Sequence, residues 1–193
     1  MSRENQKQRS KKIKEDILDV ALDLAISDGF EALSMRKISK KMKYTTGVIY
    51  YYFKDKQEIV DEIQKRQSDE IRKIIREKVC AEKGFEFNLK EVFHNMMLIA
   101  LNEPMKYNLV TLYRHKRGAS IDYSYLDVLK KFLELGVKNG ELIVADIDYT
   151  AFSIWSSFIG FNLNISQLEK ISIEEANILF DVHVNIIMDG IRN

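Results

Sequence analysis

The 193-residue chain is long enough for one or two domains, and its 46% hydrophobic and 31% charged residues are typical of a protein that folds around a core. Eight glycines and one proline are too few for the turns of an all-β fold, so the composition favours long helices. The single cysteine, Cys80, excludes a disulfide within the chain and a zinc site built from cysteines. Because the sequence has no run of 18 apolar residues and no apolar segment of a secretory signal near Met1, we expect a cytoplasmic protein with no membrane partner.

The net charge of +1 hides an uneven distribution of charge along the chain. Basic residues concentrate in residues 3–14 and 36–43, and the second cluster contains no acidic residue. Because the rest of the chain is more acidic, the pattern indicates a polyanionic partner for the N-terminal region alone. The alternative interpretation is that the two basic clusters are solvated helix faces. Charge by itself does not decide between these two interpretations.

Apolar spacing predicts that the N-terminal region is a set of helices. Apolar residues recur at intervals of three and four over residues 13–25, which predicts a first helix that stops at Gly29. Ser34 is suited to cap a second, short helix over residues 35–42.

A third short helix and a long fourth helix follow. Thr45 is suited to cap the third helix, over residues 46–52. Asp55 and Glu58 then have the spacing of a capping box, which predicts that the fourth helix runs over about residues 56–80.

The long fourth helix has a polar middle, since residues 64–70 contain no apolar side chain. Packed ends around a polar middle are typical of a helix that leaves one core and joins another. We therefore expect the two domains to meet in this helix without a flexible linker, with residues 1–56 as the first domain and residues 57–193 as the second.

The second domain is expected to be helical throughout, which makes the fold class all-α. Pro104 separates the first two of its helices, Gly140 ends the third, and Ser172 with Glu175 forms a capping box for the last. The predicted helices cover residues 88–103, 105–115, 121–139, 148–166 and 172–191.

The last two helices carry more apolar surface than one small core needs. The helix over residues 148–166 is apolar nearly all round, and the last helix has two apolar faces. A second copy of the chain would bury this apolar surface in a four-helix homodimer interface. The alternative is a monomer in which the same surface is fully enclosed in the core. The candidate dimer residues are Phe152, Ile159, Leu179, Val182 and Ile186.

The two short helices have the layout of a helix-turn-helix. The second of them starts with the small polar segment Thr45–Gly47, so its first turn is able to enter a major groove, and its free N–H groups favour phosphate. Tyr50, Tyr51 and Tyr52 follow. Three consecutive residues of a helix point about 100° apart, so these tyrosines cannot all lie in a core.

Residues 29–39 and 47–56 resemble the signature of the tetracycline-repressor (TetR) family. The signature has a Gly-aromatic start, a Ser cap followed by Arg and Ile, and then a Gly-x-hydrophobic-Tyr-x-(His/Tyr)-Phe-x-x-Lys run, which residues 47–56 match. One departure is the turn, where Met42-Lys43-Tyr44-Thr45 replaces the usual Ala-Gly-Val-Ser. Beyond this region the resemblance extends only to the layout of the helices.

The resemblance implies residue roles in DNA binding. Base-edge contacts are implied for Thr46, Gly47 and Tyr51. Phosphate contacts are implied for Thr45, Tyr52 and Lys56. Arg36 and Lys37 start the helix that lies against the DNA backbone, and Tyr50 is expected either to contact phosphate or to pack in the core. The basic residues Arg9, Lys11 and Lys12 are expected to reach nearby phosphates or the minor groove.

No catalytic or metal-binding pattern is present, so we expect a protein that is not an enzyme and has no cofactor. The three histidines lack metal-ligand spacing, and neither a phosphate-binding loop nor a nucleophile elbow occurs. Aromatic and methionine side chains in the second half are either plain core or the lining of a cavity for a small apolar or amphipathic effector. The candidate effector residues are Phe93, Met96, Met97, Tyr113, Phe132, Trp155 and Phe158.

These observations lead to two hypotheses of different classes. The first is a DNA-binding transcriptional regulator that binds a near-palindromic operator in double-stranded DNA as a homodimer and is released, as a repressor, by an unknown small-molecule effector. The second is a helical ligand-binding or adaptor protein whose N-terminal domain contacts another protein. Specific duplex binding with a steep salt dependence is expected of the first hypothesis only.

Overall fold

The computed structural model describes residues 3–80, 82–111, 124–168 and 170–193. Within these residues the chain forms nine α-helices and no strand, which confirms the all-α prediction. None of the described helices combines the length and apolar character that a membrane crossing requires. The helices are α1 (Arg3–Asp28), α2 (Met35–Met42), α3 (Thr46–Tyr52), α4 (Lys56–Lys78), α5 (Phe85–Asn102), α6 (Pro104–Thr111), α7 (Ser124–Lys138), α8 (Ile147–Ile165) and α9 (Ile173–Ile191), with a 3-10 turn at Phe30–Ala32 between α1 and α2.

The chain divides into two compact units, Met1–Asp69 and Glu70–Asn193, which are called the N-terminal unit and the C-terminal unit below. The division lies inside α4 and later than the boundary expected between residues 56 and 57. The reason is that the first turns of α4 belong to the core of the N-terminal unit, where Ile59 and Ile63 are almost completely buried.

One side of the polar middle of α4 is buried. Gln64, Gln67 and Ser68 are only 2–5% exposed, whereas Lys65, Arg66, Asp69 and Glu70 are exposed. Uncharged amide and hydroxyl side chains cost less to bury than charged ones do. A run without apolar residues therefore does not by itself mark a solvated helix segment.

Local capping contacts define the helix ends of the N-terminal unit. The Ser34 hydroxyl accepts the Lys37 backbone N–H at 3.2 Å, and the Asp55 carboxylate accepts that of Glu58 at 2.9 Å. Gly29 ends α1 with a φ of 84°. Thr45 does precede α3, but its side chain accepts no capping hydrogen bond, so the predicted cap by that hydroxyl is wrong.

The helices of the C-terminal unit lie close to their predicted ranges. The capping box at Ser172 and Glu175 is present, and Gly140 follows α7 with a φ of 74°. Pro104 is the first residue of α6 and not a spacer before it, because the first turn of a helix does not need the N–H that proline lacks. Predicted helix residues 112–115 and 121–123 lie outside the described residues.

Aromatic packing among α5, α8 and α9 forms the centre of the C-terminal unit. The rings of Phe93 and Phe158 stack at a centroid distance of 3.7 Å, and Phe158 also contacts Phe180. All three residues are at most 3% exposed. Full burial of such side chains contributes about 1.5–3 kcal/mol each, so this cluster holds the three helices together.

One polar pair lies inside this apolar core. The Asn162 amide donates to the Tyr107 hydroxyl at 3.2 Å, and both side chains are completely buried. Burial raises the pKa of Tyr107, because a phenolate there would lose its hydration. The hydrogen bond joins α6 to α8 and specifies their register.

Candidate nucleic-acid interface

The helix pair α2 and α3 is anchored by apolar residues on its inner side. Ile38 from α2 and Ile49 from α3 are completely buried, and Phe53, which directly follows α3, is 1% exposed. These three side chains form the packed inner side of the helix pair. Because both helices are short, they depend on this packing and not on intrinsic helix propensity.

The turn between α2 and α3 has a special backbone conformation. Lys43 lies in the left-handed region with a φ of 56°, and the Tyr44 N–H donates to the Ser39 carbonyl at 2.9 Å. The Ser39 hydroxyl donates to the Arg36 carbonyl at 3.0 Å and lies 3.3 Å from the Thr46 hydroxyl. Since the Ser39 proton is already used, the Thr46 hydroxyl is the donor between the two. Thr46 therefore links α3 to α2, a role that the sequence pattern did not reveal.

The outer side of α3 is open and aromatic. Tyr51 is 80% exposed and Tyr50 is 54% exposed. Next to them, Gly47 has open space where a side chain would be, with only a Thr45 hydroxyl within 4 Å of a hypothetical Cβ. This surface combines hydroxyl-bearing rings with close access to the backbone.

The third tyrosine of the run and one tyrosine of the turn flank this surface. Tyr52 is half-buried and meets Tyr51 edge-on at a centroid distance of 5.0 Å, which restricts the Tyr51 ring. Tyr50 does not pack in the core, which removes one of the two roles expected for it. Tyr44 is 42% exposed and was not among the predicted site residues.

Two of the predicted DNA-contacting lysines already have partners. The Lys37 ammonium bonds the Asp28 carboxylate at 3.0 Å, and this bond lowers the pKa of Asp28. The Lys56 ammonium donates to the carbonyl oxygens of Phe30 and Glu31, at 3.4 and 3.2 Å. Lys56 thus binds the carbonyls of the 3-10 turn and holds α4 to the chain before α2.

A second group of cations is exposed and makes no ion pair with any described residue. Arg36 lies in the first turn of α2, and the others lie on α2, in the turn and after α3. Together with the tyrosines of α3 they give this part of the N-terminal unit a positive surface with aromatic side chains. The members besides Arg36 are Lys40, Lys41, Lys43 and Lys54.

The α2–α3 region matches a known family. Residues 17–63 match the family model described as "Bacterial regulatory proteins, tetR family", and this range contains all of α2 and α3. The N-terminal unit is therefore similar to the DNA-binding region of TetR-family regulators. This similarity supports a DNA-binding transcriptional regulator.

Relatives and solved structures agree with this assignment. The "Fatty acid metabolism regulator protein" of Bacillus subtilis (strain 168) is 25% identical over 136 residues, which are 65% of this chain and 69% of that protein. The "HTH-type transcriptional regulator AcrR" of Shigella flexneri is 29% identical over 111 residues, or 57% of this chain and 52% of that protein. The structure of a TetR-family regulator from Haemophilus influenzae superposes with a TM-score of 0.69 at 17% identity, over 96% of this chain and 100% of the other, and shows the shared fold.

The C-terminal unit contains a small apolar recess between α5, α7 and α8. Its lining residues are aliphatic or aromatic apart from Asn88, whose amide is already bonded to backbone atoms of residues 80–84. The recess encloses about 30 Å³, less than the roughly 150 Å³ cavity that accepts benzene. The lining residues are Phe85, Asn88, Leu89, Val92, Phe93, Val128, Leu129, Phe132 and Trp155.

The recess includes only part of the predicted effector residues. Phe93, Phe132 and Trp155 line it, whereas Met96, Met97 and Phe158 are core residues at most 3% exposed. Tyr113 lies outside the described residues. The other lining residues were missed, because the apolar ones do not differ in sequence from ordinary core positions and nothing in the sequence marks Asn88 as buried.

The predicted dimer residues lie mostly on exposed helix surface. Val182 and Ile186 of α9 are 53% and 68% exposed, and Phe152 of α8 is 54% exposed. Leu179 is also exposed, whereas Ile159 is half-buried and packs against the core. Ile178 extends the exposed row on α9.

The described histidines have structural partners. His94 bonds Asn177 at 2.8 Å and His183 bonds Ser157 at 3.0 Å. Burial lowers the pKa of His183, which lies against the rings of Phe158 and Phe161. No group of three or more metal-ligating side chains occurs in the described parts of the chain.

Proposed function

We propose that this TetR-family regulator is a homodimeric repressor that reads a near-palindromic operator with α3 and is released from it by a small apolar molecule. The observation that supports it most is the exposed face of α3. Tyr50 and Tyr51 extend from a helix whose opposite side is anchored by Ile49. A helix held rigidly from one side and open on the other suits insertion into a major groove.

In this proposal the exposed residues have separate tasks. Tyr51 and the open backbone at Gly47 read base edges, while Tyr50, Tyr52, Thr45 and the cations of α2 contact phosphates. The structure modifies two of the expected roles. Thr46 and Lys56 act in part as positioning residues, because their polar groups bond other parts of the N-terminal unit.

Selection of bound fragments from a random duplex pool, at about 0.15 M salt, tests the operator. We expect enrichment of an inverted repeat whose half-sites lie about 34–36 Å apart or somewhat more. A folded protein that enriches no sequence, before and after refolding without ligand, would contradict the proposal. It would favour the alternative of an adaptor whose N-terminal unit contacts a protein.

The proposed dimer rests on the exposed aliphatic row of α9. Ile178, Val182 and Ile186 are between 53% and 68% exposed and lie at intervals of four residues. On a monomer these side chains, which carry no polar group, would be exposed to water. Contact with a second copy of the chain would bury them.

The proposed effector site is the recess between α5, α7 and α8. Because its lining is mostly apolar and the Asn88 amide is already bonded, an apolar group such as an acyl chain suits it. The relative from Bacillus subtilis is named a fatty acid metabolism regulator, which makes fatty acids the first probes to use. Since the recess encloses about 30 Å³, binding requires side chains such as Phe132 to move.

Trp155 provides a direct measurement of this binding, because it is the single tryptophan of the chain and lines the recess. We expect its fluorescence to change when saturated fatty acids of increasing chain length are added. Val128→Phe should block this change, since Val128 lines the recess. Val137→Phe is the matched control, because Val137 is equally exposed on the same helix but is not a lining residue.

Operator and effector must then weaken each other's binding by the same factor. If a fatty acid binds at Trp155 but its affinity is unchanged by saturating operator DNA, release by this ligand is wrong. The operator selection would still stand. The function proposed is regulation without catalysis or cofactor, which is consistent with the family of transcriptional regulators.

A further inference from the structure

The buried pair of Tyr107 and Asn162 uses only part of its hydrogen-bonding capacity. The Asn162 amide donates to the Tyr107 hydroxyl at 3.2 Å, and both side chains are completely buried. The Oδ1 atom of Asn162 is buried and accepts a hydrogen bond from no described residue. The Tyr107 hydroxyl also carries a proton, which no described residue accepts. One donor and one acceptor therefore lie side by side in the core without partners in the described part of the chain.

This arrangement costs folding free energy. A buried donor or acceptor that lacks a partner has lost its hydration without a replacement, and most buried polar atoms in folded proteins are paired for that reason. Phenylalanine and leucine would fill the same two positions without this cost. The pair is therefore suited to a group that accepts one hydrogen bond and donates another.

The pair lies on the side of α8 that lines the apolar recess. Asn162 follows Trp155, a lining residue, by seven positions, which is about 20° short of two helical turns and about 10.5 Å along the axis. Phe158 lies between them on the same side of α8 and stacks on Phe93, which also lines the recess. The recess, the ring stack and the polar pair thus follow one another along α8.

We propose that the effector is an uncharged amphipathic molecule whose hydroxyl group binds between Tyr107 and Asn162 while its apolar chain extends into the recess. This inference rests on the proposed function, in which an apolar group occupies the recess. The ligand oxygen accepts the Tyr107 proton, and the ligand O–H donates to the Oδ1 atom of Asn162. The chain passes the stack of Phe93 and Phe158, so binding separates these two rings.

The surroundings of the pair favour an uncharged head group. None of the buried side chains in the described ranges is charged. The burial that raises the pKa of Tyr107 penalises any other anion at this place in the same way. An ionised carboxylate also has no donor for the Oδ1 atom of Asn162. A fatty acid therefore binds in its protonated form, and an alcohol of the same length binds more tightly at neutral pH.

The test compares ligands that differ only in the head group. Decanol accepts and donates a hydrogen bond, whereas its methyl ether only accepts one. Fluorescence of Trp155, the single tryptophan of the chain, measures the binding of each ligand to the whole protein. We expect decanol to bind about tenfold more tightly than the ether, because the ether leaves the Oδ1 atom of Asn162 unpaired.

Decanoic acid tests the charge of the head group. Its affinity should fall about tenfold for each unit of pH above the pKa of the free acid, because only the protonated form binds. The affinity of decanol should stay constant over the same range. Equal pH dependence of the two ligands would overturn the preference for an uncharged head group.

Two double variants show whether the preference for decanol comes from this pair. Tyr107→Phe/Asn162→Leu replaces both partners by apolar side chains of similar size, so the protein should remain folded and should bind decanol and the ether equally. His94→Phe/Asn177→Leu is the matched control, because it removes another hydrogen-bonded pair of the same unit, at 2.8 Å. The control should keep the tenfold preference.

Equal binding of decanol and its ether by the wild-type protein would overturn the inference, while the proposed apolar ligand of the recess would stand. A preference that persists in Tyr107→Phe/Asn162→Leu, or that is lost equally in the control, would also overturn it. If no probe changes the Trp155 fluorescence, the proposed effector site fails together with the inference. The wild-type comparison needs no substitution, so it decides the question even if a variant does not fold.

Discussion

The exposed surfaces of the two units differ in their chemistry. On α3 of the N-terminal unit the exposed apolar bodies are tyrosines, each with a hydroxyl, and lysines surround them. On α9 of the C-terminal unit the exposed row is aliphatic, with Ile178, Val182 and Ile186. Tyrosine rings carry hydroxyl groups that can hydrogen-bond to a charged, hydrated partner, whereas aliphatic side chains pack favourably only against another apolar surface. The comparison therefore supports different partners for the two surfaces, with DNA on α3 and the proposed second copy of the chain on α9.

The largest effect is expected from charges placed on the aliphatic row. Val182→Glu/Ile186→Glu should dissociate the dimer, because each carboxylate buried without a partner costs about 3–5 kcal/mol. Sedimentation equilibrium measures the change in mass. The control is Ile143→Glu, which adds one charge at a position that is 65% exposed and outside α9. An unchanged mass for the double variant would assign the row to another partner.

A smaller effect is expected on α3. Tyr51→Ala should lose about 1–3 kcal/mol of operator binding and relax the sequence preference if the ring contacts a base. Folding stability should hardly change, since the side chain is 80% exposed. Binding to operator and to random duplex is measured side by side.

The Tyr51→Phe variant separates the hydroxyl from the ring. A loss equal to that of alanine would assign the contact to the hydroxyl, and no loss would assign it to the ring. Equal losses of the alanine variant on operator and on random DNA would reject base reading by Tyr51.

Substitution of Lys56 is expected to lower both the affinity for DNA and the free energy of unfolding. Lys56→Ala should weaken all duplexes alike and flatten the salt slope by about one, as a phosphate contact does. Because its ammonium also bonds the carbonyls of Phe30 and Glu31, we expect about 1 kcal/mol less stability as well. Urea unfolding measures the stability, with Lys54→Ala as an exposed control. Unchanged stability would show that the bonds to the 3-10 turn contribute nothing.

The smallest effect is expected at the turn between α2 and α3. Glycine adopts the left-handed conformation of residue 43 without the penalty of about 1–2 kcal/mol that a lysine has there. The larger conformational entropy of glycine in the unfolded chain offsets part of this gain in stability. We expect roughly 0.5 kcal/mol more stability together with weaker DNA binding. Lys40→Gly, within α2, should instead destabilise. If Lys43→Gly weakens DNA binding and also lowers the free energy of unfolding, the left-handed conformation of Lys43 does not destabilise the fold, and this prediction is wrong.

The N-terminal unit was largely predictable because its contacts are short in sequence. The bounds of α2 and α3, the cap at Ser34 and the stop at Gly29 all depend on residues within a few positions of each other. The resemblance to the TetR family covers the same region, and the family match confirms it. The bond between Ser39 and Thr46 was not predictable, because a small hydroxyl on a short helix has several equivalent uses.

In the C-terminal unit the helices were predictable and the recess was not. Phe93 and Phe158 both belong to patterns of ordinary core residues, yet only Phe93 lines the recess. The difference depends on which helices meet, and residues far apart in sequence decide that. The burial of Gln64 and Gln67 also depends on residues far apart in sequence, because the polarity of these side chains does not indicate which residues pack against them.

The sequence by itself determined the helical class, most of the helix ends and the TetR-like motif, because these follow from local spacing, capping and a contiguous run of residues. Only the tertiary structure decided which polar groups are free. Lys37 and Lys56 have the same charge as Lys43, but the first two are bonded to Asp28 and to the 3-10 turn, and Lys43 is not. The physical reason is that a side chain's availability to a partner depends on its neighbours in space, and those are assembled only when the helices pack.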